Sequence, residues 1–181
     1  MKTNKIIRLL EQGHAEHISS HINWAEEQVP YSSKAPRFQG TKSIYSDPVI
    51  ESLLLYAKPK IEKVYEKELA PTYSFWRTYY KNQNCPPHLD RPSCEVSVTL
   101  CIDASDKKDM WGIFVGEEEY KLNIGEGVIY KGCDQEHWRN DLSYDWHRQV
   151  FLHYIEKEGA NYPKFLYDER ENLYNNMTMI E

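Results

Sequence analysis

The chain lacks several features that would place it in a specialised class of protein. Its longest apolar runs, such as Leu53-Leu54-Leu55, are far shorter than the roughly 20 residues that span a bilayer, so no membrane segment is predicted. No apolar stretch follows Met1-Lys2, which predicts a cytoplasmic rather than a secreted protein. The 181 residues contain no internal repeat and no linker rich in glycine or serine, which predicts a single domain.

An excess of basic charge is also missing. The 22 lysines and arginines are outnumbered by 28 aspartates and glutamates, which gives a net charge of −6. Proteins that bind nucleic acids normally carry a basic excess, so a nucleic-acid partner is not expected. The four cysteines form no C-x-x-C pair, so a zinc cage is not expected, and without a secretion signal their thiols are predicted to be free.

Helical periodicity is confined to about the first 70 residues. Apolar residues that recur at spacings of three and four predict a helix over residues 14–27. Asp47-Pro48 combines an N-cap with a proline at the first helical position, and predicts a second helix over residues 51–69. Pro59 should kink this helix or split it. The shorter elements predicted here are a strand over residues 6–10 and a loop over residues 29–45.

Beyond about residue 70 the pattern has the period of β-strands. Val96, Val98, Leu100 and Ile102 alternate with polar or small residues, which predicts a strand. Further strands are predicted over residues 72–80, 111–115, 120–130 and 148–155. Five or more short strands behind two helices predict a mainly β fold with N-terminal helices, either a sandwich or a jelly roll, with its core at 71–155. For the C-terminal extension, residues 156–181, a lid, a dimer contact and a helix over the sheet remain open.

The functional prediction depends on the motif His88-Leu89-Asp90. Its two polar side chains share a face if the segment is extended, because alternate residues of a strand point the same way. His137 is a distant histidine that the fold is expected to bring to this pair. Two histidines and one carboxylate form the facial triad of non-haem Fe(II) oxygenases. A rival motif, His14-Ala15-Glu16, lies on a predicted helix, where residues two apart point in different directions.

Two longer runs surround this triad. The positions that follow the order Tyr-x-x-Gly-x-x-Leu-x-x-His-x-Asp are Tyr79, Asn82, Cys85, His88 and Asp90. The run at residues 122–130 ends in Gly125-Glu126-Gly127-Val128-Ile129-Tyr130, which matches the pattern Pro-Gly-Asp-Ala-Val-Leu-Phe. In both runs the sequence resembles the 2-oxoglutarate- and Fe(II)-dependent dioxygenases, specifically their small prolyl-hydroxylase-like branch. It departs from that pattern at Asn82, where the family has glycine, and at Glu126, where it has aspartate.

The resemblance implies a double-stranded β-helix, which is a cupin-like variant of the jelly roll. It also implies that His88, Asp90 and His137 are the catalytic ligands of Fe(II). Arg148 follows His137 by 11 residues and fits the basic residue that pairs with the distal carboxylate of 2-oxoglutarate, with Tyr79 as a further contact to this cosubstrate. Dioxygen is the second cosubstrate, and ascorbate stays open as an additional cofactor.

Several residues near these motifs are candidates whose roles stay open. Arg139 and His147 are alternatives to Arg148 as the partner of the cosubstrate. Ser97 and Thr99 lie on the polar face of their strand and either contact the cosubstrate or bond across strands. The candidates for substrate contacts are Arg91, Arg139 and Trp138.

The expected reaction is hydroxylation of a C–H bond, with release of succinate and carbon dioxide. Asp90 favours hydroxylation, because the related halogenases lack this carboxylate and leave its position to chloride. The substrate is expected to be a peptide, including a prolyl peptide, or a small molecule, and the oligomeric state, including a dimer, stays open. The alternative function is that of a metal-binding, cupin-like jelly roll with another reaction or with none.

Overall fold

Two helices lie on the outside of the molecule. The computed structural model describes residues 4–31 and 40–173. Helix α1 spans Gln12–Gln28 and buries the apolar face that its spacing predicted. Helix α2 spans Pro48–Tyr65, and the carboxylate of Asp47 accepts a hydrogen bond from the Val49 N–H (2.9 Å) at its N-terminus. Within the described residues, no helix is long and apolar enough to cross a membrane.

Pro59 lies inside α2 and does not split it, so of the two outcomes predicted for this proline the split does not occur. The helix runs through Pro59 because its buried face, which includes Leu54, Ala57 and Ile61, packs on the sheet on both sides of the proline. The helix ends at Glu66, which adopts a left-handed conformation with φ of 65°. The predicted end at residue 69 was therefore too late.

The described residues form ten strands, all paired antiparallel, in two sheets. The larger sheet has the order β1-β8-β5-β10-β3-β2, and the smaller sheet has the order β4-β9-β6-β7. The strands are β1 Lys5–Arg8, β2 Lys42–Tyr45, β3 Leu69–Tyr80, β4 Cys85–His88, β5 Val96–Ala104, β6 Ile113–Val115, β7 Glu118–Tyr120, β8 Glu126–Tyr130, β9 His137–Arg139 and β10 Trp146–Glu156.

The strand predictions differ from the structure in several places: residues 121–125 interrupt the strand predicted over residues 120–130, and β2, β4 and β9 were not predicted. Strand β2 lies inside the segment predicted as loop, because it pairs with β3 along the edge of the larger sheet; residues 32–39 of that segment lie outside the described residues. Strand β4 was missed, since Pro86 and Pro87 lower strand propensity. Asn82 has a positive φ of 67°, a conformation that asparagine tolerates best after glycine, which explains how asparagine fits where the pattern that the sequence resembles has glycine.

The two faces of the larger sheet are both buried, against different layers. Helices α1 and α2 pack on one face, where Trp76, Leu100 and Leu152 join the main apolar core. On the other face, Cys101 and Val128 pack with Ile113 and Val115 of the smaller sheet. This arrangement is the double-stranded β-helix that the resemblance implied, and it decides for a jelly roll between the two folds that the strand pattern left open.

The C-terminal extension contains one short 3-10 turn, Leu166–Glu169, and its residues pack beside β3. It forms no long helix within the described residues, and residues 174–181 lie outside them.

Candidate active site

The pairing of β4 with β9 brings the predicted ligands together. His88 lies directly opposite His137 in this antiparallel pair. Asp90 follows β4, and its backbone N–H donates to the Gly132 carbonyl oxygen (2.9 Å). One potential ligand atom from each of His88, Asp90 and His137 lies within 4.8 Å of the others. The three side chains therefore meet at one point between the two sheets.

Both imidazoles are oriented for binding through the same nitrogen. Nδ1 of His88 lies 2.9 Å from the Pro86 carbonyl oxygen, and Nδ1 of His137 lies 3.0 Å from that of Gln135. A carbonyl oxygen only accepts, so each Nδ1 carries the hydrogen and each Nε2 keeps a lone pair. These Nε2 atoms lie 3.8 Å and 3.6 Å from Oδ1 of Asp90. Carbonyl partners that fix the ring tautomer are typical of histidine metal ligands.

The second oxygen of Asp90 is held away from this point. Its Oδ2 accepts a hydrogen bond from Oγ of Ser97 (2.9 Å). A Cβ atom on Gly132 would lie 2.3 Å from the same Oδ2 and 2.6 Å from Ser97 Oγ, so no other residue fits at Gly132. Burial acts to raise the pKa of Asp90, but His137, His153 and the Ser97 hydroxyl outweigh it and lower the pKa to about 2. Asp90 is thus an oriented, ionised carboxylate that could serve as a metal ligand.

A second group of possible ligands, Asp90, Cys94 and His153, shares the same carboxylate. Burial raises the pKa of the Cys94 thiol, which keeps it protonated, whereas a metal binds the thiolate. With Cys94 protonated, this group offers only Asp90 and His153, whose Nδ1 lies 3.0 Å from Oγ of Ser97. The donors of His88, Asp90 and His137 are therefore the better set, and two imidazoles with one carboxylate fit Fe(II).

A cavity of ≈ 330 Å³ opens beside the three ligands. Its walls include six Phe, Tyr or Trp side chains as well as three arginines, and the Phe75 and Phe151 rings stack with their centroids 4.3 Å apart. Trp138 lines the mouth and stacks on Phe114, and the exposed side chain of Leu89 lies between two of the ligands in sequence. Aromatic walls of this kind exclude water and bind apolar groups.

Arg139 lies in the same cavity, two residues beyond His137 on β9. It is buried, donates from Nη1 to the Trp111 carbonyl oxygen (2.7 Å), and packs 4.6 Å above the Trp111 ring. With the Gln149 amide oriented by its hydrogen-bond partners, Arg139 Nη2 also donates to the Gln149 oxygen (3.1 Å). Burial lowers the pKa of the guanidinium. No carboxylate of the described residues forms an ion pair with it.

The structure corrects the placement of Arg148. Its guanidinium points to the helix side of the sheet and pairs there with Glu26 of α1, with Nη2 3.0 Å from Oε2. It also donates to Ser19 (3.1 Å) and Asn23 (3.0 Å). Arg148 does share a face with Val150, as the strand period predicted, but that face packs against helices and not against the cavity. Arg148 therefore does not reach the predicted cosubstrate position.

Of the other residues predicted to contact the cosubstrate, Tyr79 lines the cavity, whereas Thr99 and His147 do not. Tyr79 lines it and is buried, with its hydroxyl 3.4 Å from Nη1 of Arg77. Thr99 bonds to the Tyr130 hydroxyl (3.3 Å) and is not among the cavity residues. His147 is buried behind Arg139, where its Nδ1 lies 2.7 Å from the Tyr144 hydroxyl. Burial and the Arg139 charge keep the pKa of His147 well below its usual range.

Three residues of the site were not predicted as such. Gly132 follows strand β8, and nothing in the sequence indicated its role beyond its being a glycine. His153 and Gln149 lie on β10 at odd separations from Arg148, and so on its opposite face. That alternation could have identified them once the direction of Arg148 was known.

No protein-family model and no curated protein sequence matches the chain. Solved structures do resemble it. A viral collagen prolyl hydroxylase from Paramecium Bursaria Chlorella virus-1, in complex with 2-oxoglutarate, shares 8% identity over 84% of this chain and 96% of its own, with a TM-score of 0.64.

Two bacterial structures are similar to the same degree. A prolyl-4-hydroxylase of Pseudomonas putida shares 11% identity over 85% of this chain and 92% of its own, with a TM-score of 0.63. HygX from Streptomyces hygroscopicus, with nickel, 2-oxoglutarate and hygromycin B bound, shares 12% identity over 97% and 95%, with a TM-score of 0.65. The chain therefore has the fold of the 2-oxoglutarate- and Fe(II)-dependent oxygenases, including prolyl hydroxylases, as the sequence resemblance implied.

Proposed function

We propose that this protein is an Fe(II)- and 2-oxoglutarate-dependent oxygenase that hydroxylates a C–H bond of a peptide or small-molecule substrate. The observation that carries the proposal is the convergence of His88, Asp90 and His137, with both Nδ1 atoms and the second carboxylate oxygen already engaged. Bound Fe(II), with 2-oxoglutarate and dioxygen, supplies the oxidising chemistry; succinate and carbon dioxide are the coproducts.

Arg139, rather than Arg148, is the residue that pairs with the distal carboxylate of 2-oxoglutarate. A buried cation without a carboxylate partner is costly unless a ligand supplies the negative charge. The guanidinium can pair with a carboxylate through two charge-assisted hydrogen bonds. Arg139 lies two residues from His137 on one strand face, about 7 Å along the strand, a span that a five-carbon diacid can bridge.

The substrate binds at the aromatic mouth of the cavity. A volume of ≈ 330 Å³ is at the small end for ligand pockets and is shared with the cosubstrate, so one small group of the substrate enters it. Trp138 and Phe151 form apolar walls for that group. Relatives in fold include a collagen prolyl hydroxylase and a protein with hygromycin B bound, so the fold admits both peptides and small molecules.

An anaerobic titration with Fe(II) and 2-oxoglutarate tests the proposal. We expect the visible charge-transfer band of the iron–2-oxoglutarate chelate to appear in the wild-type protein. It should disappear in Asp90→Ala and His137→Ala, because each removes one of three ligands. His14→Ala is the matched control, since it alters the rival motif on the exposed face of α1, and its band should be unchanged.

Two results would contradict the proposal. One is a folded wild-type protein, verified by circular dichroism, that gives no band. The other is a band that survives in both ligand variants, which would place the metal elsewhere.

A further inference from the structure

The C-terminal residues 161–173, here called the strap, are tied to the loop that carries Asp90. The carboxylate of Asp168 accepts two hydrogen bonds from the guanidinium of Arg91, one from Nη1 (2.5 Å) and one from Nη2 (2.7 Å). Arg91 directly follows Asp90 in the sequence. A bidentate pair of this kind fixes orientation as well as distance, so the strap constrains the residue next to a proposed metal ligand.

Arg91 also contacts residues that line the cavity. Its guanidinium lies 4.6 Å above the Tyr73 ring, which lines the cavity, and Nη1 also donates to Ser93 Oγ (3.2 Å). Its carbonyl oxygen accepts from the Cys133 thiol (3.2 Å), beside Gly132. The same side chain thus connects the strap, the ligand loop and one wall of the cavity, and its charge is matched by Asp168 instead of being offered to the substrate.

The strap is anchored independently of Arg91. Asp168 also accepts a hydrogen bond from the Tyr45 hydroxyl (2.5 Å). Arg170 reaches under the strap, where its Nη2 donates to the Thr72 carbonyl oxygen (3.0 Å) and lies 3.4 Å from the fully buried carboxylate of Glu51. These contacts hold the strap on the barrel, so that Asp168 presents its carboxylate from a fixed position.

The backbone of the strap has an unusual conformation at this point. Tyr167, Asp168 and Glu169 have φ angles of 51°, 58° and 62°, all in the left-handed region. Three consecutive non-glycine residues in that region are unfavourable without compensating contacts. The contacts of Asp168 and Arg170 provide that compensation, which indicates a segment shaped around these two ion pairs.

We propose that Asp168 is a positioning residue: through Arg91 it holds the Asp90 loop and the Tyr73 wall in the geometry that binds the metal. The inference rests on the proposed function, because it takes Asp90 to be a ligand. It assigns the C-terminal extension a role at the site, which the sequence left open.

The test compares Mn(II) binding by the wild-type protein and by Asp168→Asn, followed by the electron paramagnetic resonance of free Mn(II). Asparagine has the same shape and tolerates the left-handed conformation, so the change removes only the ionic pair. We expect the dissociation constant to rise about three- to tenfold, below or at the low end of the 10–100-fold loss seen for groups bonded directly to a ligand. Asp109→Asn is the matched control, since it removes an exposed ion pair with Lys121, and should bind Mn(II) normally.

Two further measurements separate positioning from a merely structural role. Trypsin cleavage at Lys164 should stay at the wild-type rate in Asp168→Asn, because Arg170 still anchors the strap to Thr72 and Glu51. In a double-mutant cycle with Arg91→Gln, the double variant should bind Mn(II) no more weakly than Arg91→Gln alone, because both changes break one connection.

An unchanged Mn(II) affinity in Asp168→Asn would overturn the positioning role and leave the proposed function intact, and a loss of affinity accompanied by faster cleavage at Lys164 would also overturn it, because the strap would then have come off the barrel. Additive losses in the cycle would also overturn it, because Arg91 would then act without Asp168. Wild-type protein that binds no Mn(II) would overturn both proposals together.

Discussion

Arg139 and Arg148 are both buried, on opposite sides of the same barrel, and they have different surroundings. Arg148 lies on the helix side of the larger sheet, where Glu26 of α1 neutralises its charge at 3.0 Å. Arg139 lies on the cavity side, where its partners are a carbonyl and an amide oxygen and no carboxylate of the described residues pairs with it. Each of these two charges is desolvated, but only one is compensated within the described fold.

The difference distinguishes a structural charge from a charge held ready for a ligand. A buried ion pair contributes little net stability, but breaking it leaves its partner unpaired and is strongly destabilising. A buried cation with only neutral partners is relieved when an anion binds. The two arginines should therefore respond in opposite ways to the same substitution.

The largest effect on stability is expected for Arg148→Met. Methionine keeps the apolar stem but leaves the Glu26 carboxylate buried without its partner, so the free energy of unfolding should fall by about 3–5 kcal/mol. Urea denaturation monitored by tryptophan fluorescence measures this. The folded variant should bind 2-oxoglutarate with the affinity of the wild type. A large loss of affinity would instead indicate that Arg148 binds the cosubstrate.

The matched variant Arg139→Met should show the reverse. We expect 2-oxoglutarate binding to weaken by about 2–5 kcal/mol, at least roughly 30-fold, because the distal carboxylate loses a buried charged partner. The free energy of unfolding without ligand should stay within about 1 kcal/mol of wild type, since removal of a desolvated charge offsets the lost hydrogen bonds. Anaerobic calorimetry with Mn(II) and 2-oxoglutarate measures the affinity, and normal binding would rule Arg139 out as the anchor.

Sequence periodicity predicted the strand that carries Arg148 but not the short strand β9 that carries Arg139, and it could not distinguish the environments of the two arginines. Alternation showed that Arg148 shares a face with Val150 and Leu152, and this is correct. Both faces of β10 are buried, however, so hydrophobicity alone does not indicate which face meets the helices and which meets the cavity. Spacing from the distal histidine favoured Arg148, whereas tertiary packing places Arg139 in the cavity and pairs Arg148 with Glu26.

The proposed metal ligands were more predictable than the proposed anchor of the cosubstrate. His88 and Asp90 form a local motif, whose geometry follows from strand alternation, and the resemblance identified His137. The residues that support them are non-local: Ser97 bonds to Asp90 only because β5 and the loop after β4 converge, and Gly132 is required by that same approach. Such contacts depend on the full arrangement of the strands.

The smallest expected effect concerns His153, on the cavity face of the strand that carries Arg148. Burial lowers the pKa of His153 to about 4, below the value near 6.5 of an unfolded histidine. As the pH falls below 6.5 the unfolded chain binds the proton first, so stability is complete above that pH and decreases toward pH 4. Between pH 7 and pH 5 this loss amounts to about 2 kcal/mol.

His153→Gln should remove that part of the pH dependence, because glutamine does not titrate. Urea denaturation at pH 7 and pH 5 is the measurement, and the difference between the two free energies of unfolding should shrink by about 2 kcal/mol. His17→Gln, which changes an exposed histidine of α1, is the matched control and should leave the wild-type difference in place. An unchanged difference in His153→Gln would mean that the cavity side tolerates charge at this position, which would weaken the contrast between the two faces of β10.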